Sequence, residues 1–504
     1  MSNVLFDAIV DGRKAGNGEL FIGNADGDIG DQAFLDLSAR MAAVLLDRGV
    51  DAGDRVAVQV SKSIAALALY VACIRTGAVF LPLNTAYTEA ELDYFIGDAT
   101  PRVLVLDPQK RAMGERLIGA SQLLTLDGAG GGSLIDKASA CEAVQEIVAR
   151  GPDDLAAILY TSGTTGRSKG AMLTHANLLS NAQTLVSYWQ FTSSDVLLHA
   201  LPIFHTHGLF VASNVMLLCG GRMIFQPGFS TDAVLQALPS ATAMMGVPTF
   251  YTRLLADERF TRECASHMRL FISGSAPLLA DTHREFEART GQRILERYGM
   301  TETNMNTSNP VDGDRIAGTV GRALPGVEVR VCLPETTEPL PTGEVGILHV
   351  RGPNVFAGYW QMPEKTREEL LEDGFFITGD LATIDERQYV TIVGRSKDLI
   401  ISGGYNIYPK ELELLIDELP GVTESAVVGV PHPDFGEAVV AVVVRDGSAA
   451  AAGLTAENLT AALADRLARF KQPKKVEFVA ELPRNTMGKV QKNLLREKLD
   501  DAFR

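Results

Sequence analysis

Apolar and polar positions along this chain follow two alternating patterns. Short runs rich in aliphatic and β-branched residues predict strands, at residues 55–60, 102–106, 155–159 and 268–272. Longer segments with apolar residues at helical spacing predict helices, at 32–48 and 63–77. Strands and helices that alternate in this way are typical of doubly wound α/β sheets.

The pattern changes at about Val327. From there strands follow one another closely, at 327–332, 344–350 and 389–394, which predicts a small β subdomain. After Arg395-Ser-Lys-Asp398 a second run of alternating strands and helices begins. We therefore expect a large N-terminal domain over residues 1–394, a connection at 395–398 and a small C-terminal domain over 399–504, whose length is normal for a small folded unit.

Composition and charge narrow the range of partners. The chain has 504 residues, 46% of them hydrophobic and 21% charged, and a formal net charge of −16. This balance is typical of a globular α/β protein and argues against nucleic acid or an anionic membrane as a general partner. The five cysteines are scattered without a CxxC pair, which favours a reducing compartment. Because the first ten residues carry no secretory pattern and no apolar run is long enough to span a bilayer, we expect a cytoplasmic protein.

The loop at residues 160–170 carries the strongest chemical signal. It has the sequence Tyr-Thr-Ser-Gly-Thr-Thr-Gly-Arg-Ser-Lys-Gly and follows the apolar run at 155–159. Glycines let backbone N–H groups approach an anion, hydroxyls add donors and Lys169 adds a positive charge, so the loop suits a polyphosphate. It is not a Walker A loop, because GxxxxGK[ST] cannot be placed on Gly163 or Gly166 with Lys169. This mismatch indicates a use of ATP that differs from that of P-loop kinases and ATPases.

Four further polar clusters occur at 271–277, 296–302, 377–381 and 482–491. The cluster at 296–302 follows Arg293-Ile-Leu295, so we expect it at the exit of a strand, and Asp380 is expected after a glycine at a strand end. Glu302, beside hydroxyls, is a natural Mg²⁺ ligand near phosphates, although a Glu after Thr is more often solvated or a helix cap. Asp380 suits ribose hydroxyls, and a plain turn explains it equally well. The segment 271–277 suits a base or an acyl group, and by itself an ordinary turn explains it better. Lys489 lies on a Gly-containing turn and would stabilise developing negative charge, with a basic surface loop as the alternative.

Together, in this order and spacing, the five clusters resemble the adenylate-forming superfamily of acyl-CoA synthetases, adenylation domains and luciferases, from about residue 30 to 500. The resemblance implies an α/β fold with a large N-terminal domain of doubly wound sheets, a small β-barrel-like subdomain and a small mobile α+β C-terminal domain. It implies ATP, Mg²⁺ and coenzyme A as cofactor and cosubstrates. It also implies a reaction in which the acid is joined to AMP, pyrophosphate leaves and the CoA thiol attacks the acyl-adenylate.

The resemblance also assigns roles to single residues. Lys489, Lys169 and Glu302 are implied to be catalytic, with Thr161 and Glu302 holding Mg²⁺ and Asp398 serving as the hinge. Ser168 stands where the family usually has Pro, which we expect to change the stiffness of the loop and not the chemistry.

The ATP-binding set implied by the resemblance spans both domains. In it, Asp380 and Arg395 bind the ribose hydroxyls and Tyr298 stacks on the adenine. Gly403 and Gly404 are implied to line the pantetheine tunnel for coenzyme A. The implied ATP-binding residues are Thr161, Ser162, Gly163, Thr164, Thr165, Gly166, Lys169, Gly274, Ser275, Ala276, Pro277, Glu296, Tyr298, Gly299, Met300, Thr301, Asp380, Arg395 and Lys489.

The acyl pocket is implied to lie among the segments 205–208, 244–253, 271–276 and 300–304. Arg253 ends an otherwise uncharged stretch, and a fatty-acid ligase would keep this stretch apolar, so Arg253 with Ser275 predicts a second carboxylate on the substrate. The alternative is that Arg253 points outward and pairs with Asp257 at i+4. His207 is expected to be a wall of the pocket, because a zinc site built on it and His205 lacks further ligands.

The segments 81–87, 205–210 and 298–306 resemble malonate-activating members of the superfamily. We therefore expect a small dicarboxylic acid as substrate, in the reaction of malonate, ATP and CoA to malonyl-CoA, AMP and diphosphate, within fatty acid metabolism. The alternatives are methylmalonate or a short- or medium-chain or aryl monocarboxylate. A non-catalytic binder is disfavoured by the complete catalytic set, and a carrier-loading adenylation domain by the lack of an attached carrier after Lys489. A lysine acetyltransferase, opposed by a deacetylase, would stop adenylate formation by removing the charge of Lys489.

Overall fold

A computed structural model describes residues 2–22, 28–161, 168–402, 405–464, 466–485 and 489–503. The strands are β1 Glu19–Phe21, β2 Ile29–Gly30, β3 Arg55–Gln59, β4 Val79–Pro82, β5 Val103–Leu106, β6 Leu123–Thr125, β7 Leu155–Thr161, β8 Lys169–Thr174, β9 Val196–His199, β10 Arg222–Phe225, β11 Ala243–Gly246, β12 Leu270–Ser273, β13 Leu295–Met300, β14 Asn304–Ser308, β15 Arg322–Ala323, β16 Glu328–Cys332, β17 Gly346–Arg351, β18 Gly358–Tyr359, β19 Phe376–Ile384, β20 Val390–Arg395, β21 Ile400–Ser402, β22 Tyr405–Ile407, β23 Val422–His432, β24 Gly436–Arg445 and β25 Lys475–Val479.

The helices connect these strands and cover the sheets. They are α1 Val4–Ala15, α2 Asp31–Asp47, α3 Ile64–Thr76, α4 Glu89–Ala99, α5 Arg111–Ile118, α6 Ser133–Ala140, α7 His175–Tyr188, α8 Asn214–Cys219, α9 Thr231–Ala237, α10 Pro248–Leu255, α11 Ala280–Thr290, α12 Pro363–Glu369, α13 Pro409–Asp417, α14 Ala449–Ala452, α15 Ala456–Ala464 and α16 Lys492–Leu499. A π-helix at His207–Ser213 leads into α8, and a short 3₁₀ turn at Ser396–Asp398 follows β20.

Two large sheets form the N-terminal part of the chain. One has the order β18-β8-β7-β4-β3-β5-β6 and the other β15-β14-β13-β12-β11-β9-β10-β1-β2. Inner strands of both sheets pair in parallel, while antiparallel pairs occur at or next to the edges and involve β8, β14, β15, β18 and β2. The predicted α/β class with doubly wound sheets is confirmed. Helix α3 is buried from Ala65 to Thr76, so this apolar segment belongs to the core.

The boundaries of α3 show how local sequence sets an element. The Ser63 side chain accepts a hydrogen bond from the backbone N–H of Ala66 at the N-terminus, and Gly77 ends the helix with a φ of 71°. A hydroxyl acceptor and a left-handed glycine are the usual solutions for unpaired groups at helix ends. In the described part of the chain, no helix is both long and apolar enough to cross a membrane.

Two smaller sheets follow. The strands predicted after Val327 form an antiparallel sheet with the order β16-β17-β19-β20. Its edge strands β16 and β20 do not pair with each other within the described residues, so the sheet is not a closed barrel. The last sheet has the order β22-β21-β24-β23, with β25 beside β24. The turn Ser396–Asp398 connects these two sheets. The exact domain division at 395–398 stays a prediction.

The cluster at 296–302 differs from its prediction. We expected it to follow a strand, yet residues 296–300 belong to β13 itself, which pairs in parallel with β12 and then antiparallel with β14. Gly299 permits the tight return, because a Cβ there would lie 1.9 Å from the carbonyl oxygen of Asn304. Because residues 295–300 form a strand, successive side chains of β13 point to opposite faces of the sheet.

Candidate active site

One face of β13 meets the antiparallel sheet. The Tyr298 hydroxyl donates a hydrogen bond to Asp380 Oδ2 over 2.5 Å, and Asp380 Oδ1 lies 2.8 Å from Arg395 Nε. Asp380 lies within β19 directly opposite Arg395 of β20, and not at the strand end that the sequence suggested. The charge of Asp380 raises the pKa of Arg395. Burial opposes this, and Tyr298 adds a smaller contribution that raises it. The structure thus brings together the three residues expected at the adenosine.

Glu296 points to the same face of β13 as Tyr298, and its carboxylate is used inside the protein. It is buried, with Oε1 3.2 Å from His283 Nδ1 and 3.3 Å from the backbone N–H of Gly318. Burial raises the pKa of this carboxyl. Its described partners fix the position of β13 beneath the expected adenine site, with Gly299, Met300 and Thr301 continuing along the same hairpin.

The expected phosphate site contains a compact charged network. Lys169 Nζ lies 3.1 and 3.3 Å from the two carboxylate oxygens of Glu369 and 3.0 Å from the Tyr359 hydroxyl. The same hydroxyl lies 2.6 Å from Glu369 Oε2 and 3.1 Å from Glu302 Oε1. Since Lys169 and Glu369 are 200 positions apart in sequence, their pairing could not be seen from local pattern.

Glu302 has the properties of a ligand for a hard cation. Its side chain is buried, and desolvation raises the pKa of its carboxyl. The single Tyr359 proton can serve only one of the two carboxylates within its reach, and Glu369 is the nearer. The Thr161 hydroxyl, 3.4 Å from the carbonyl oxygen of Lys169, is on the strand that enters the same site. Buried carboxylate and hydroxyl oxygens fit Mg²⁺.

Lys489 reaches the cleft from the C-terminal part of the chain. Its turn is closed by two hydrogen bonds between Asn485 and Lys489. Although its side chain keeps contact with solvent, desolvation and then the charge of Arg395 lower the pKa of the Lys489 amine, while Asp380 and Asp398 raise it. The charges of two expected ribose ligands, Arg395 and Asp380, thus act on the Lys489 amine.

Asp398, the expected hinge residue, is held in the short turn after β20. Its carboxylate Oδ1 lies 2.5 Å from Arg496 Nη2, and Arg496 is on α16, which follows the Lys489 turn. The expected hinge and the predicted catalytic lysine are thereby connected through one ion pair. Whether the chain rotates at Asp398 stays a prediction.

His207 and Ser275 form the wall expected for an acyl pocket. His207 Nδ1 lies 3.1 Å from Ser275 Oγ, while the buried Nε2 has no hydrogen-bond partner among the described residues. Desolvation, followed by Arg297, lowers the pKa of His207 well below its usual value, so the ring is neutral. Ser275 has a φ of 71°, a conformation that costs a non-glycine residue of order 1–3 kcal/mol and that aims its side chain at His207. Ala276 and Pro277 continue this turn after β12.

Arg297 is a candidate site residue that the sequence reasoning missed. It lies on the face of β13 opposite to Glu296 and Tyr298, is only 3% exposed, and its Nε and Nη2 have no partner among the described residues. Burial lowers the pKa of Arg297 from 12.5 to about 9, and no carboxylate raises it again. Its charge lowers the pKa values of His205 and His207, which places it at the pocket wall. Gly274 makes room for it, since a Cβ there would lie 2.4 Å from the guanidinium carbon.

Arg253 lies on α10 with an exposed side chain, and its guanidinium carbon is 6.0 Å from the centre of the Phe229 ring. The alternative pairing with Asp257 is not formed, because Asp257 binds the backbone N–H and the guanidinium of Arg259. Arg253 forms no ion pair with any carboxylate in the described ranges. Its role at the substrate stays a prediction.

Two predicted sets cannot be placed. The loop residues Ser162, Gly163, Thr164, Thr165 and Gly166 and the expected CoA-binding pair Gly403 and Gly404 lie outside the described residues. The ends of the phosphate loop are placed, because Thr161 of β7 and Lys169 of β8 are directly opposite each other. The Tyr94 hydroxyl also donates a hydrogen bond to the carbonyl oxygen of Ser168 over 2.9 Å.

Comparison with known proteins agrees with this geometry. Residues 31–360 match the model of the AMP-binding enzyme family, and residues 411–489 match the AMP-binding enzyme C-terminal domain. The chain belongs to the AMP-binding enzyme family. It is an AMP-forming acid–CoA ligase, and enzymes of this kind use ATP, Mg²⁺ and coenzyme A.

Individual relatives span different acids. The crystal structure of ATP-bound MatB from Rhodopseudomonas palustris superimposes with a TM-score of 0.97 at 58% identity and covers 100% of both chains. A feruloyl-CoA synthase from Amycolatopsis is 39% identical over 91% of this chain and 92% of its own length. A malonate–CoA ligase from Arabidopsis thaliana is 36% identical over 84% of this chain and 75% of its own. Because relatives of similar identity act on different acids, the acid must be argued from the pocket.

Proposed function

We propose that this ligase activates malonate, with methylmalonate as an alternative substrate. The observation that carries the proposal is Arg297, a buried arginine at the pocket wall with no described carboxylate partner. An uncompensated buried charge costs several kcal/mol, so a site that keeps one is expected to receive an anion. A monocarboxylate presents its only carboxylate to ATP, whereas a short diacid has a second carboxylate for Arg297.

Neighbouring groups suit the same ligand. A guanidinium can bind a carboxylate through two parallel hydrogen bonds, and the Ser275 hydroxyl and the unpartnered Nε2 of His207 add neutral polar groups beside it. Arg253 at the outer part of α10 is a second candidate cation for the same carboxylate. The Arabidopsis malonate–CoA ligase supports the choice of acid, while the feruloyl-CoA synthase shows that identity at this level does not determine it.

The reaction follows from the arrangement of charges. The reacting carboxylate attacks the α-phosphorus of ATP, pyrophosphate leaves, and the CoA thiol then displaces AMP from the malonyl-adenylate. Lys489 stabilises the negative charge where carboxylate and α-phosphate meet, and Lys169 binds the leaving phosphates. Glu302, with Thr161, would hold Mg²⁺, which would neutralise phosphate charge when bound. Tyr298, Asp380 and Arg395 orient the nucleoside so that attack is in line.

Arg297→Leu and Arg253→Leu test the choice of acid. For Arg297→Leu we expect kcat/KM for malonate to fall by about a hundredfold or more, since truncating one partner of a buried charge pair costs 2–5 kcal/mol. Acetate, propionate and butyrate should be activated as well as or better than by the parent enzyme. AMP release with a panel of short mono- and diacids measures the activity towards malonate and towards the monocarboxylates. Unchanged malonate turnover in both Arg297→Leu and Arg253→Leu would contradict the proposal.

Lys489 is also the residue at which we propose regulation by acetylation, through a lysine acetyltransferase and a deacetylase. Its side chain is in contact with solvent, and the first half-reaction depends on its charge.

A further inference from the structure

The amine of Lys169 is fully engaged by protein groups. Both oxygens of Glu369 and the Tyr359 hydroxyl lie within 3.3 Å of Nζ, and the amine also lies 4.1 Å from the centre of the Tyr359 ring. An ammonium group has three protons to donate, and three acceptor oxygens surround this one. A polyphosphate that binds Lys169 must therefore replace at least part of this arrangement.

Glu369 can give up Lys169 without losing its charge compensation. Lys365, on the same helix α12, lies 3.0 Å from Glu369 Oε1, and Tyr359 donates to Oε2. Burial opposes ionisation, yet the hydrogen bonds from Tyr359 and Lys365 and the charge of Lys169 hold the pKa of Glu369 below its usual value. Glu369 is the last residue of α12 and is 22% exposed, so its side chain has room to turn.

The remaining charges around this position favour an anion. Lys397 lies close enough that the charges of Lys169 and Lys365, after desolvation, lower its pKa. Without Glu369, Lys169 and Lys365 would lose the carboxylate that they share. Glu369 therefore reduces the positive charge that a polyphosphate meets, and like charges at such short range interact strongly.

We propose that Glu369 is a positioning residue that acts as a competing counter-ion: it holds Lys169 when no polyphosphate is bound, and it returns to Lys169 as pyrophosphate leaves. This inference rests on the proposed role of Lys169 at the phosphates. Glu369 then lowers the affinity for ATP and pyrophosphate alike and accelerates the release of pyrophosphate, which limits reversal of adenylate formation.

Calorimetric titration of magnesium pyrophosphate into the full chain, without acid or ATP, tests the proposal. Glu369→Gln keeps the size of the side chain and an acceptor for Tyr359 but removes the charge. We expect it to bind pyrophosphate on the order of tenfold more tightly. The inhibition constant of pyrophosphate in the AMP-release assay should fall by a similar factor, while KM for the acid stays unchanged. Equal or weaker pyrophosphate binding by a folded Glu369→Gln protein would overturn the proposal, and weaker binding that is restored by excess Mg²⁺ would make Glu369 a metal ligand instead.

Three further variants separate the possible causes. Glu368→Gln removes a charge from the neighbouring position, which pairs with Lys365 and is 65% exposed, and should change the affinity by less than about twofold. Glu369→Asp keeps the charge and should bind pyrophosphate as the parent does. Lys169→Met should lose affinity on the order of tenfold. If Lys169→Met binds pyrophosphate as tightly as the parent, the proposed role of Lys169 is wrong. If only Glu369→Gln leaves the affinity unchanged, the counter-ion role of Glu369 alone is contradicted.

Discussion

At the scale of single residues, two neighbouring positions shape the wall of the expected acyl pocket. Gly274 lies against the Arg297 guanidinium, and Ser275 adopts a left-handed conformation that a glycine would adopt at lower cost. The serine occupies a strained position where its hydroxyl contacts His207. Strain at a residue that also contacts a candidate ligand site is an indication of function.

Gly274→Ala tests the fit around Arg297. The new Cβ would lie 2.4 to 2.7 Å from guanidinium atoms, and because Arg297 is buried its head group must move. We expect KM for malonate to rise on the order of tenfold, as overpacking costs 1–3 kcal/mol, and to rise more than KM for ATP, because the new Cβ meets Arg297. Steady-state kinetics with each substrate varied in turn gives both values.

Gly97→Ala is the matched control for this substitution. Gly97 lies inside α4, and nothing surrounds the position of its Cβ within 4 Å. Its kinetics should equal those of the parent, and an equal rise in KM for malonate in both variants would contradict a specific contact at Arg297.

Among residues, the sequence indicated those whose chemistry is local and missed those defined by partners far along the chain. Tyr298, Asp380 and Arg395 stand in short polar clusters, and the structure places them together. Arg297 lies inside one of these clusters, but its importance comes from what it lacks, a carboxylate, and this is visible only in three dimensions. Treating 295–300 as a strand would have separated Arg297 from Glu296 and Tyr298 by face.

At the scale of elements, helix ends and strand cores were predicted well, because they follow local sequence. Helix α3 extends over 64–76 where 63–77 was expected, and α2 over 31–47 where 32–48 was expected. The continuation of β13 beyond its apolar start was not predicted. Its polar residues are stabilised by pairing with β14 and by Asp380, contacts that periodicity does not report.

The packing of α13 on β23 contains a titratable group whose state depends on pH. Asp417 accepts a hydrogen bond from the Ser425 hydroxyl over 2.7 Å, and burial raises its pKa to about 7. The folded state therefore retains a proton that the unfolded chain loses at a lower pH. By linkage, this group contributes stability below about pH 4, and the contribution declines as pH rises through about 7.

Asp417→Asn removes this dependence. The melting temperature of the variant relative to the parent should be higher at pH 8.5 than at pH 5.5, by about 2 °C or more. Thermal unfolding followed at both pH values measures the difference. Glu418→Gln, which removes a neighbouring exposed carboxylate paired with Arg466, serves as the control and should show no such pH dependence. A pH-independent shift for Asp417→Asn would contradict the assignment.

At the scale of the whole molecule, the C-terminal part supplies Lys489 to a cleft built by the N-terminal sheets. The proximity of Lys489 to Arg395 and Asp380, together with the Asp398–Arg496 ion pair, corresponds to an arrangement suited to adenylate formation. The order of the domains followed from the pattern of predicted strands and helices along the chain, but their relative placement depends on long-range contacts. A rotation at 395–398 for the thiol step remains our proposal.

Acetylation of Lys489 should separate the two half-reactions. Removing its charge is expected to slow malonate-dependent exchange of pyrophosphate into ATP by a factor on the order of a hundred or more, because that charge stabilises the first transition state. Formation of malonyl-CoA from supplied malonyl-adenylate should continue at a rate close to that of the unmodified enzyme. Site-specific acetyl-lysine at 489, with Lys498→Gln at an exposed position of α16 as control, allows both rates to be compared. Equal exchange rates would rule out regulation at this residue.

The alternation of side chains along β13 has a consequence for how such enzymes diverge. Glu296 and Tyr298 point to the face that we expect to hold the nucleotide, and Arg297 between them points to the face that we propose for the acid. If Arg297 binds the second carboxylate as proposed, a heritable change at position 297 would exchange one carboxylic acid for another while the ATP site is inherited intact. Within β13, the residues at 296 and 298 would then stay fixed while the residue at 297 varies.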